Sequence, residues 1–229
     1  MHISYRFVII TALFITSLLT ANIIAVKVVS LGPFLLPAAI FVFPLSYIFG
    51  DVLTEVYGFQ QARRVIWLGF GCNLVFVFFA WVGGKLPPAP FWGNQAAYEA
   101  ILGYTPRLLL ASFLGYLAGE FANSIVLARM KVLTEGRWLW SRTIASTVVG
   151  QGLDTVIFIT VAFAGTPVFA AMMILHHWLA KVVIEAAATP LTYVVVNTLK
   201  RKEGSDVFDR HTRFNPFLLR DSSGRAVRT

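Results

Sequence analysis

Six long apolar stretches fill most of this chain of 229 residues, and short polar turns separate them. A helix needs about 20 predominantly apolar residues to cross the hydrocarbon core of a bilayer. The sequence therefore predicts an all-α membrane protein with six transmembrane helices in residues 1–199, followed by a basic, flexible cytoplasmic tail in residues 200–229. The predicted helices cover about 6–29, 33–56, 62–83, 106–130, 140–164 and 167–199.

Composition excludes a separate soluble domain. Charged residues make up 13% of the chain and hydrophobic residues 57%, whereas an average soluble domain has about 25% charged residues. The formal net charge of +8 does not indicate a nucleic-acid partner, because the basic residues lie in alternate loops and in the tail. That distribution is typical of a multi-pass protein in a lipid bilayer.

The basic residues also predict the orientation of the chain. Most of the 19 lysines and arginines lie before the first predicted helix, after the second, around the connection between the fourth and fifth, and in the tail. Lysine and arginine are enriched on the cytoplasmic side of membrane proteins. We therefore expect an inner-membrane protein with both termini in the cytoplasm.

Polar residues recur near the middle of three predicted helices. Two residues three or four positions apart share one face of a helix, and each of these helices carries such a pair at a similar depth. The pairs are Glu120 with Asn123, Gln151 with Asp154, and Lys181 with Glu185. The shared depth predicts one polar site inside the helix bundle.

Five carboxylates lie within the predicted helices or at their ends. A charged side chain at the bilayer centre costs roughly 2.5–3.5 kcal/mol on insertion scales, so these groups must pair, bind a proton or line water. Lys181 can neutralise one of them, which leaves a surplus of acceptors for a donor-rich ligand or a coupling cation. The five carboxylates are Asp51, Glu55, Glu120, Asp154 and Glu185.

Purely structural roles are the alternative. Lys181 and Glu185 are spaced to form a pair within one helix, and Glu120 and Asp154 could fasten helices together. Asp51 and Glu55 share a face near the cytoplasmic end of the second helix, where Arg63 or Arg64 would be their partners.

Enzyme machinery is missing from the sequence. It contains no glycine-rich lysine loop for phosphate, no HExxH and no GxSxG, which are the motifs of nucleotide hydrolysis, zinc proteolysis and serine hydrolysis. We therefore predict a protein that is not an enzyme and that has no metal site and no cofactor.

Motifs in both halves resemble one family, the queuosine precursor transporter family, also called the putative vitamin uptake transporter family. The resemblance runs from about residue 17 to 198. In the first half it rests on Asn22–Lys27, Phe43-Pro44, Tyr47, Asp51–Gly58 and Ala62-Arg63-Arg64. In the second half it rests on Gly119–Ser124, Arg142, Ala145–Thr147, Gly150, Asp154, Lys181 and Pro190.

The resemblance implies uptake of a 7-deazaguanine precursor of queuosine, either 7-cyano-7-deazaguanine or 7-aminomethyl-7-deazaguanine. It also suggests a fold similar to the substrate-binding subunits of energy-coupling-factor vitamin transporters. A guanine-like edge offers adjacent N–H donors, and one carboxylate can accept two of them. We expect the substrate to contact Glu120, Asn123, Gln151, Asp154, Lys181 and Glu185, with Asp51 and Asn22 as contacts or gate residues.

Three readings of the mechanism stay open at this stage. The chain could act alone, driven by protons that titrate a carboxylate in the middle of the membrane. It could instead be the substrate-binding subunit of an ATP-driven vitamin transporter, with a separate ATPase as partner. Small residues such as Ala21 and Ala25 would suit that partner or a homodimer equally well. A membrane enzyme using paired carboxylates is the third reading, and it lacks a recognisable nucleophile.

Overall fold

The structure is a computed structural model that describes residues 4–31, 34–103, 106–165 and 171–218. It is mostly helical, as predicted. The helices are α1 (Tyr5–Ile24), α2 (Phe43–Tyr57), α3 (Phe59–Lys85), α4 (Gln95–Leu102), α5 (Pro106–Leu133), α6 (Leu139–Phe163) and α7 (Ala171–Glu203). Two short strands, β1 (Val28–Leu31) and β2 (Phe34–Pro37), lie between α1 and α2, and one 3₁₀ turn, Ala38–Phe41, follows them.

Long apolar helices confirm the predicted class of membrane protein. Within the described residues, α1, α3, α5, α6 and α7 each contain a stretch long and apolar enough to cross a bilayer. The helix α2 lies where the second crossing was predicted but has only 15 residues. The helix α7 has 33 residues, in line with the expectation that the last helix exceeds the length of one crossing.

The segment between α1 and α2 corrects the sequence prediction. Helices were expected over 6–29 and 33–56, but α1 ends at Ile24 and α2 begins at Phe43. Between them β1 pairs antiparallel with β2, so the fold is not purely helical. The β-branched residues Val28 and Val29 favour extended backbone, and proline disfavours helical backbone in the residue before it. Pro37 therefore helps to keep the start of α2 out of this segment.

The helix α2 lies at the centre of the bundle, where it packs against α1, α3, α5 and α7. Its residues Ile48, Val52, Leu53 and Val56 are buried in the main apolar cluster. Because its polar residues lie among these apolar ones, α2 carries its carboxylates into the interior rather than to lipid.

Glycines bring α5 and α6 into close contact. A Cβ atom at Gly119 would lie 2.8 Å from the Cβ of Asp154 and 3.0 Å from the carbonyl oxygen of Gly150. A Cβ atom at Gly150 would lie 2.7 Å from the Cβ of Asn123. Small residues allow such close approach of membrane helices. We call this contact between α5 and α6 at Gly119 and Gly150 the glycine seam. Asn123 and Asp154 lie directly on it, so the seam fixes their positions.

The described part of the tail, residues 204–218, packs against one end of the bundle, which we call the tail side. The carboxylate of Asp209 accepts a hydrogen bond from the backbone N–H of Phe59 at 2.9 Å and so caps the start of α3. The guanidinium of Arg63 donates to the carbonyl oxygen of Asn215 at 2.8 Å. The sequence predicts a flexible tail and did not anticipate these contacts; flexibility itself stays a prediction.

Gly58, between α2 and α3, makes the approach of the tail possible. Its φ of +83° is in the region that favours glycine. A Cβ atom there would also lie 2.7 Å from the side chain of Val207. Both the turn and the docked tail therefore require glycine at this position.

Candidate functional site

Four helices bring seven of the eight predicted site residues together midway along the bundle. The amide of Asn123 on α5 donates to Asp51 on α2 at 2.8 Å. The ammonium of Lys181 on α7 donates to Asp154 on α6 at 2.5 Å. A hydrogen bond from Tyr47 on α2 to Gln151 on α6 links these two pairs of helices into one polar cluster, which we call the central site. It consists of Tyr47, Asp51, Glu120, Asn123, Gln151, Asp154, Lys181 and Glu185.

The remaining carboxylates of the central site lie within electrostatic range of one another. Glu120 interacts with Asp51 and Asp154, and Glu185 interacts with Asp51 and Glu120. One carboxylate oxygen of Glu120 lies 3.4 Å from the place a Cβ atom would occupy at Gly50. The absence of a side chain at Gly50 thus leaves room for Glu120 beside α2.

Tyr47 is a member of the central site that was not among the predicted contacts. Its hydroxyl donates to the side-chain oxygen of Gln151 at 2.6 Å, which orients the Gln151 amide. Tyr47 precedes Asp51 by four residues, so both lie on one face of α2. That spacing was the available sequence signal, although an aromatic residue in an apolar helix is usually a packing residue.

The central site holds more acceptors than donors. Neither oxygen of Glu185 accepts a hydrogen bond from any residue that the structure describes, although Glu185 is only 1% exposed. One oxygen of Asp51 and the side-chain oxygen of Asn123 are in the same situation within the described chain. Buried polar atoms normally have partners. The arrangement therefore suits a ligand that supplies hydrogen-bond donors.

Two structural roles were considered: a pair of Lys181 with Glu185 within one helix, and a link between helices through Asp154. Lys181 hydrogen-bonds Asp154 on the neighbouring helix, whereas Glu185, four residues away on α7, accepts no hydrogen bond from the described residues. The Asp154–Lys181 pair therefore links α6 to α7. Asp154 is partly accessible, with a side chain 23% exposed, whereas the side chain of Lys181 is only 6% exposed.

Asn22 is the predicted residue that lies outside the central site. Its amide donates to the side-chain oxygen of Asn73 on α3 at 3.1 Å. The two asparagines line a small open recess together with Phe76, Ser112 and Phe113. The predicted role of Asn22 as a contact or gate residue would require substrate to pass this recess.

Glu55 belongs to a separate cluster on the tail side. It accepts hydrogen bonds from Arg142 on α6 at 2.8 Å and from Lys200 on α7 at 2.7 Å. Lys131 on α5 lies 3.7 Å from the same carboxylate oxygen. All of these side chains are fully or mostly buried. We call Glu55, Lys131, Arg142, Lys200 and Asp206 the tail-side network.

This network corrects the predicted partners of Glu55. Arg63 and Arg64 were expected to pair with it across the turn after α2. Instead Arg63 donates to tail carbonyl oxygens, and Arg64 donates to Gln61. The cations that pair with Glu55 come from three other helices, so sequence proximity could not have identified them.

Asp206 connects the tail to the network. It lies 2.5 Å from Lys131 and 2.8 Å from Lys200. Partial burial opposes ionisation of Asp206, but hydrogen bonds from both lysines outweigh it and lower its pKa below the usual value. The carboxylate is therefore ionised at neutral pH and holds the tail against the ends of α5 and α7.

Metal binding finds no support in the part of the chain that the structure describes. No group of three or more histidine, cysteine or carboxylate side chains is placed to hold a metal ion there.

Comparisons with known proteins agree with the resemblance. Residues 37–195 match the model of a family described as "Putative vitamin uptake transporter". A "Probable queuosine precursor transporter" of Bacillus subtilis is 32% identical over 160 residues, which cover 68% of this chain and 69% of that protein. No solved structure matches the chain.

A second relative is more distant. The "Queuosine precursor transporter" of Escherichia coli is 28% identical over 140 residues. The alignment covers 61% of this chain and 59% of that protein, so it spans less than two thirds of the relative. The family match, residues 37–195, reaches from β2 to near the end of α7 and therefore contains all of the central site.

Proposed function

This chain belongs to the putative vitamin uptake transporter family, and we propose that it carries 7-deazaguanine precursors of queuosine across the inner membrane into the cell. It is a multi-pass membrane protein of a transporter family. The names of two relatives refer to queuosine precursors, which supports the choice of substrate class. The substrates in question are 7-cyano-7-deazaguanine and 7-aminomethyl-7-deazaguanine.

The excess of buried acceptors in the central site carries this proposal. A 7-deazaguanine base presents a ring N–H and an amino group side by side, and a carboxylate can accept both. Glu120 lies in the central site and is 8% exposed, so it is our candidate for this role. The base also has one carbonyl oxygen, which needs a donor.

Lys181 and Gln151 are the candidates to supply that donor. Lys181 is 6% exposed and donates a hydrogen bond to Asp154. Gln151 is 4% exposed and accepts a hydrogen bond from Tyr47. Rearrangement of the bond to Asp154 would present an N–H group of Lys181 to the carbonyl oxygen, whereas the bond from Tyr47 uses only the oxygen of Gln151 and leaves its amide NH2 as a donor. Asp154 and Asn123 complete the proposed contacts with the base.

We further propose that both termini are cytoplasmic. The tail side collects Arg63, Arg142, Lys131 and Lys200, and basic residues are enriched on the cytoplasmic side. This orientation places the tail-side network between the central site and the cytoplasm. Release of substrate inward would then require the network to open.

Binding and uptake by the purified chain test the proposed function. Liposomes that hold only this protein should bind and exchange labelled 7-cyano-7-deazaguanine, and unlabelled base should compete. Asp154→Ala and Lys181→Ala should each lower uptake at least tenfold, because a partner of the base or its orienting charge is lost. Lys85→Ala is the matched control, since Lys85 is exposed at the end of α3.

The results separate the remaining alternatives. Binding without uptake would indicate a substrate-binding subunit that needs an energising ATPase partner. Absence of binding would contradict the proposed substrate class. Normal uptake by both alanine variants would contradict the proposed site while leaving the substrate class intact.

A further inference from the structure

We propose that Glu185, together with Asp51, carries a proton across the membrane with each substrate molecule. This inference rests on the proposed uptake function and adds the energy source for it. It rests on a buried carboxylate whose two oxygens accept no hydrogen bond from the described residues and whose charge interacts with two further carboxylates, Asp51 and Glu120.

Glu185 is an isolated acceptor inside the bundle. It is 1% exposed, and both of its oxygens lack hydrogen-bond partners in the described chain. Asp51 is also 1% exposed, and its second oxygen lacks a partner among the same residues. An ionised carboxylate buried without a donor is strongly disfavoured. A proton on Glu185 removes that cost and turns one of its oxygens into a donor for a neighbouring acceptor.

The charged groups around Glu185 are mainly negative. Glu185 interacts with Asp51 from α2 and Glu120 from α5, and like charges in one site disfavour joint ionisation. Lys181, one turn away on α7, hydrogen-bonds Asp154 on α6, so part of its charge is already balanced. The titratable groups that interact with Glu185 are thus Tyr47 and Asp51 from α2 and Glu120 from α5. Asp154, Lys181 and His177 interact with one another beside them.

The other carboxylates of the central site are less suited to this role. Asp154 is paired with Lys181, and its side chain is 23% exposed. Glu120 is more exposed than Glu185, at 8% against 1%, and it is our candidate contact for the base. Asp51 accepts a hydrogen bond from Asn123 through one oxygen. Glu185 is therefore the group for which proton binding relieves the largest penalty.

A proton fits this position better than a metal ion. A sodium or calcium ion requires several oxygen ligands arranged around it. The described residues contain no group of three or more carboxylate, histidine or cysteine side chains placed for a metal. A proton needs only one carboxylate oxygen, and Asp51 is the neighbouring carboxylate whose charge acts most strongly on Glu185.

Hydroxyl groups mark a route from Glu185 toward the tail side. Thr189 and Thr192 follow Glu185 on the same face of α7, and both are buried. The hydroxyl of Thr192 has no partner among the residues described. Lys200 lies further along α7 and donates a hydrogen bond to Glu55 of the tail-side network. A proton released from Glu185 toward the cytoplasm would pass these groups.

The transport cycle accounts for the proton as follows and carries one positive charge inward with each neutral base. A proton from the outer solution forms an O–H bond with Glu185 when the site faces outward and the neutral base binds. The same bond breaks after the site opens to the cytoplasm, and the proton and the base leave. One proton for each neutral base would concentrate the base about tenfold for one unit of pH difference, because one unit is worth about 1.4 kcal/mol.

Measurement of accumulation and exchange in the same liposomes tests the inference. The full chain is reconstituted with a pH dye inside, and labelled 7-cyano-7-deazaguanine is added at an outer pH one unit below the inner pH. The wild type should acidify the interior with the base and accumulate it up to about tenfold. Glu185→Gln should exchange labelled for unlabelled base but accumulate it no more than about onefold.

Two further variants distinguish the loss of proton coupling from the loss of uptake. Glu99→Gln, at an exposed carboxylate on α4, should accumulate base as the wild type does. Asp51→Asn provides a second coupling variant in case Glu185→Gln does not insert, and it should lower accumulation in the same way.

Each of the other possible outcomes contradicts one specific part of the proposal. Gradient-driven accumulation by both Glu185→Gln and Asp51→Asn would overturn the proton assignment. Exchange by the wild type without a response to the gradient would overturn proton coupling and leave the uptake function standing. Loss of exchange in a correctly inserted Glu185→Gln would reassign Glu185 to substrate binding. Absence of exchange and binding in the wild type would overturn the uptake function itself.

Discussion

The ammonium of Lys181 on α7 lies 2.5 Å from the carboxylate of Asp154 on α6, midway along both helices. The pair joins two helices and at the same time places a cation next to the surplus carboxylates of the central site. Replacement of both partners should have different effects on uptake if the pair only fastens helices and if it contacts substrate.

A double-mutant cycle separates these two roles. Asp154→Asn and Lys181→Met should each destabilise the protein, because each leaves the other charge without its partner. The double variant should be more stable than the sum of the two losses predicts, with a coupling of about 0.5–3 kcal/mol. Thermal unfolding in detergent measures these differences. Uptake should stay low in the double variant, and restored uptake would show that the pair only fastens the helices.

The tail-side network should contribute strongly to stability. Glu55 and Arg142 are 0% and 1% exposed in their side chains, and removal of one partner of a buried pair costs about 3–5 kcal/mol. We therefore expect a large loss of stability in Arg142→Met. The matched control is Arg6→Met, which breaks the exposed pair with Glu203 and should cost about 1 kcal/mol or less. Equal losses in the two variants would contradict the importance of the network.

The glycine seam should tolerate no side chain. Gly119→Ala would place a Cβ atom 2.8 Å from Asp154 and 3.0 Å from the backbone of Gly150. Overpacking of this kind costs about 1–3 kcal/mol, and the separation of α5 from α6 should also lower uptake. Gly71→Ala is the control, because no heavy atom lies within 4 Å of its added Cβ. Unfolding temperature and uptake should both stay near wild type in Gly71→Ala and fall in Gly119→Ala.

Docking of the tail should depend on pH through Asp206. Its pKa is lowered in the folded state, since the hydrogen bonds from Lys131 and Lys200 outweigh the opposing effect of burial. A lowered pKa means that the contribution to docking is present above the unfolded pKa and is lost as pH falls through the folded pKa. The tail should therefore stay docked at neutral pH and loosen below the ordinary range of an aspartate.

A fluorophore on the tail measures this pH dependence. An Arg210→Cys label in a Cys72→Ser background should lose anisotropy as the pH falls, since Arg210 is exposed beside the docked residues. Asp206→Asn should show weaker docking at neutral pH and little change in that acidic range. An unchanged pH profile in Asp206→Asn would assign the transition to another group.

The central site could largely be predicted from the sequence. Helical spacing places Gln151 with Asp154 and Lys181 with Glu185 on common faces, and the predicted depth of each pair is a matter of counting residues along apolar stretches. The structure brings these residues together with Asp51, Glu120 and Asn123. Asn22 was included because it is polar within an apolar stretch, but its partner Asn73 lies 51 residues away on another helix.

Partner choice between helices could not be predicted in the same way. Glu55 and Lys200 are 145 residues apart and form a hydrogen bond, while Arg63 and Arg64, which follow Glu55 within nine residues, bind elsewhere. Charge alone does not select among several nearby cations. The packing of α2 between α5, α6 and α7 selects them, because it decides which side chains reach Glu55.

The sequence by itself determined the membrane class, the approximate helix positions and the polar face of each helix, because hydropathy and helical spacing are local properties. Only the tertiary structure decided that Val28–Leu31 pairs with Phe34–Pro37, that the tail docks through Asp206 and Asp209, and that Glu185 is left without a hydrogen-bond donor among the described residues. These features depend on which helices and segments meet in space. Contacts between distant residues are set by close packing and by the avoidance of unpaired buried charge, and neither can be evaluated within one helix.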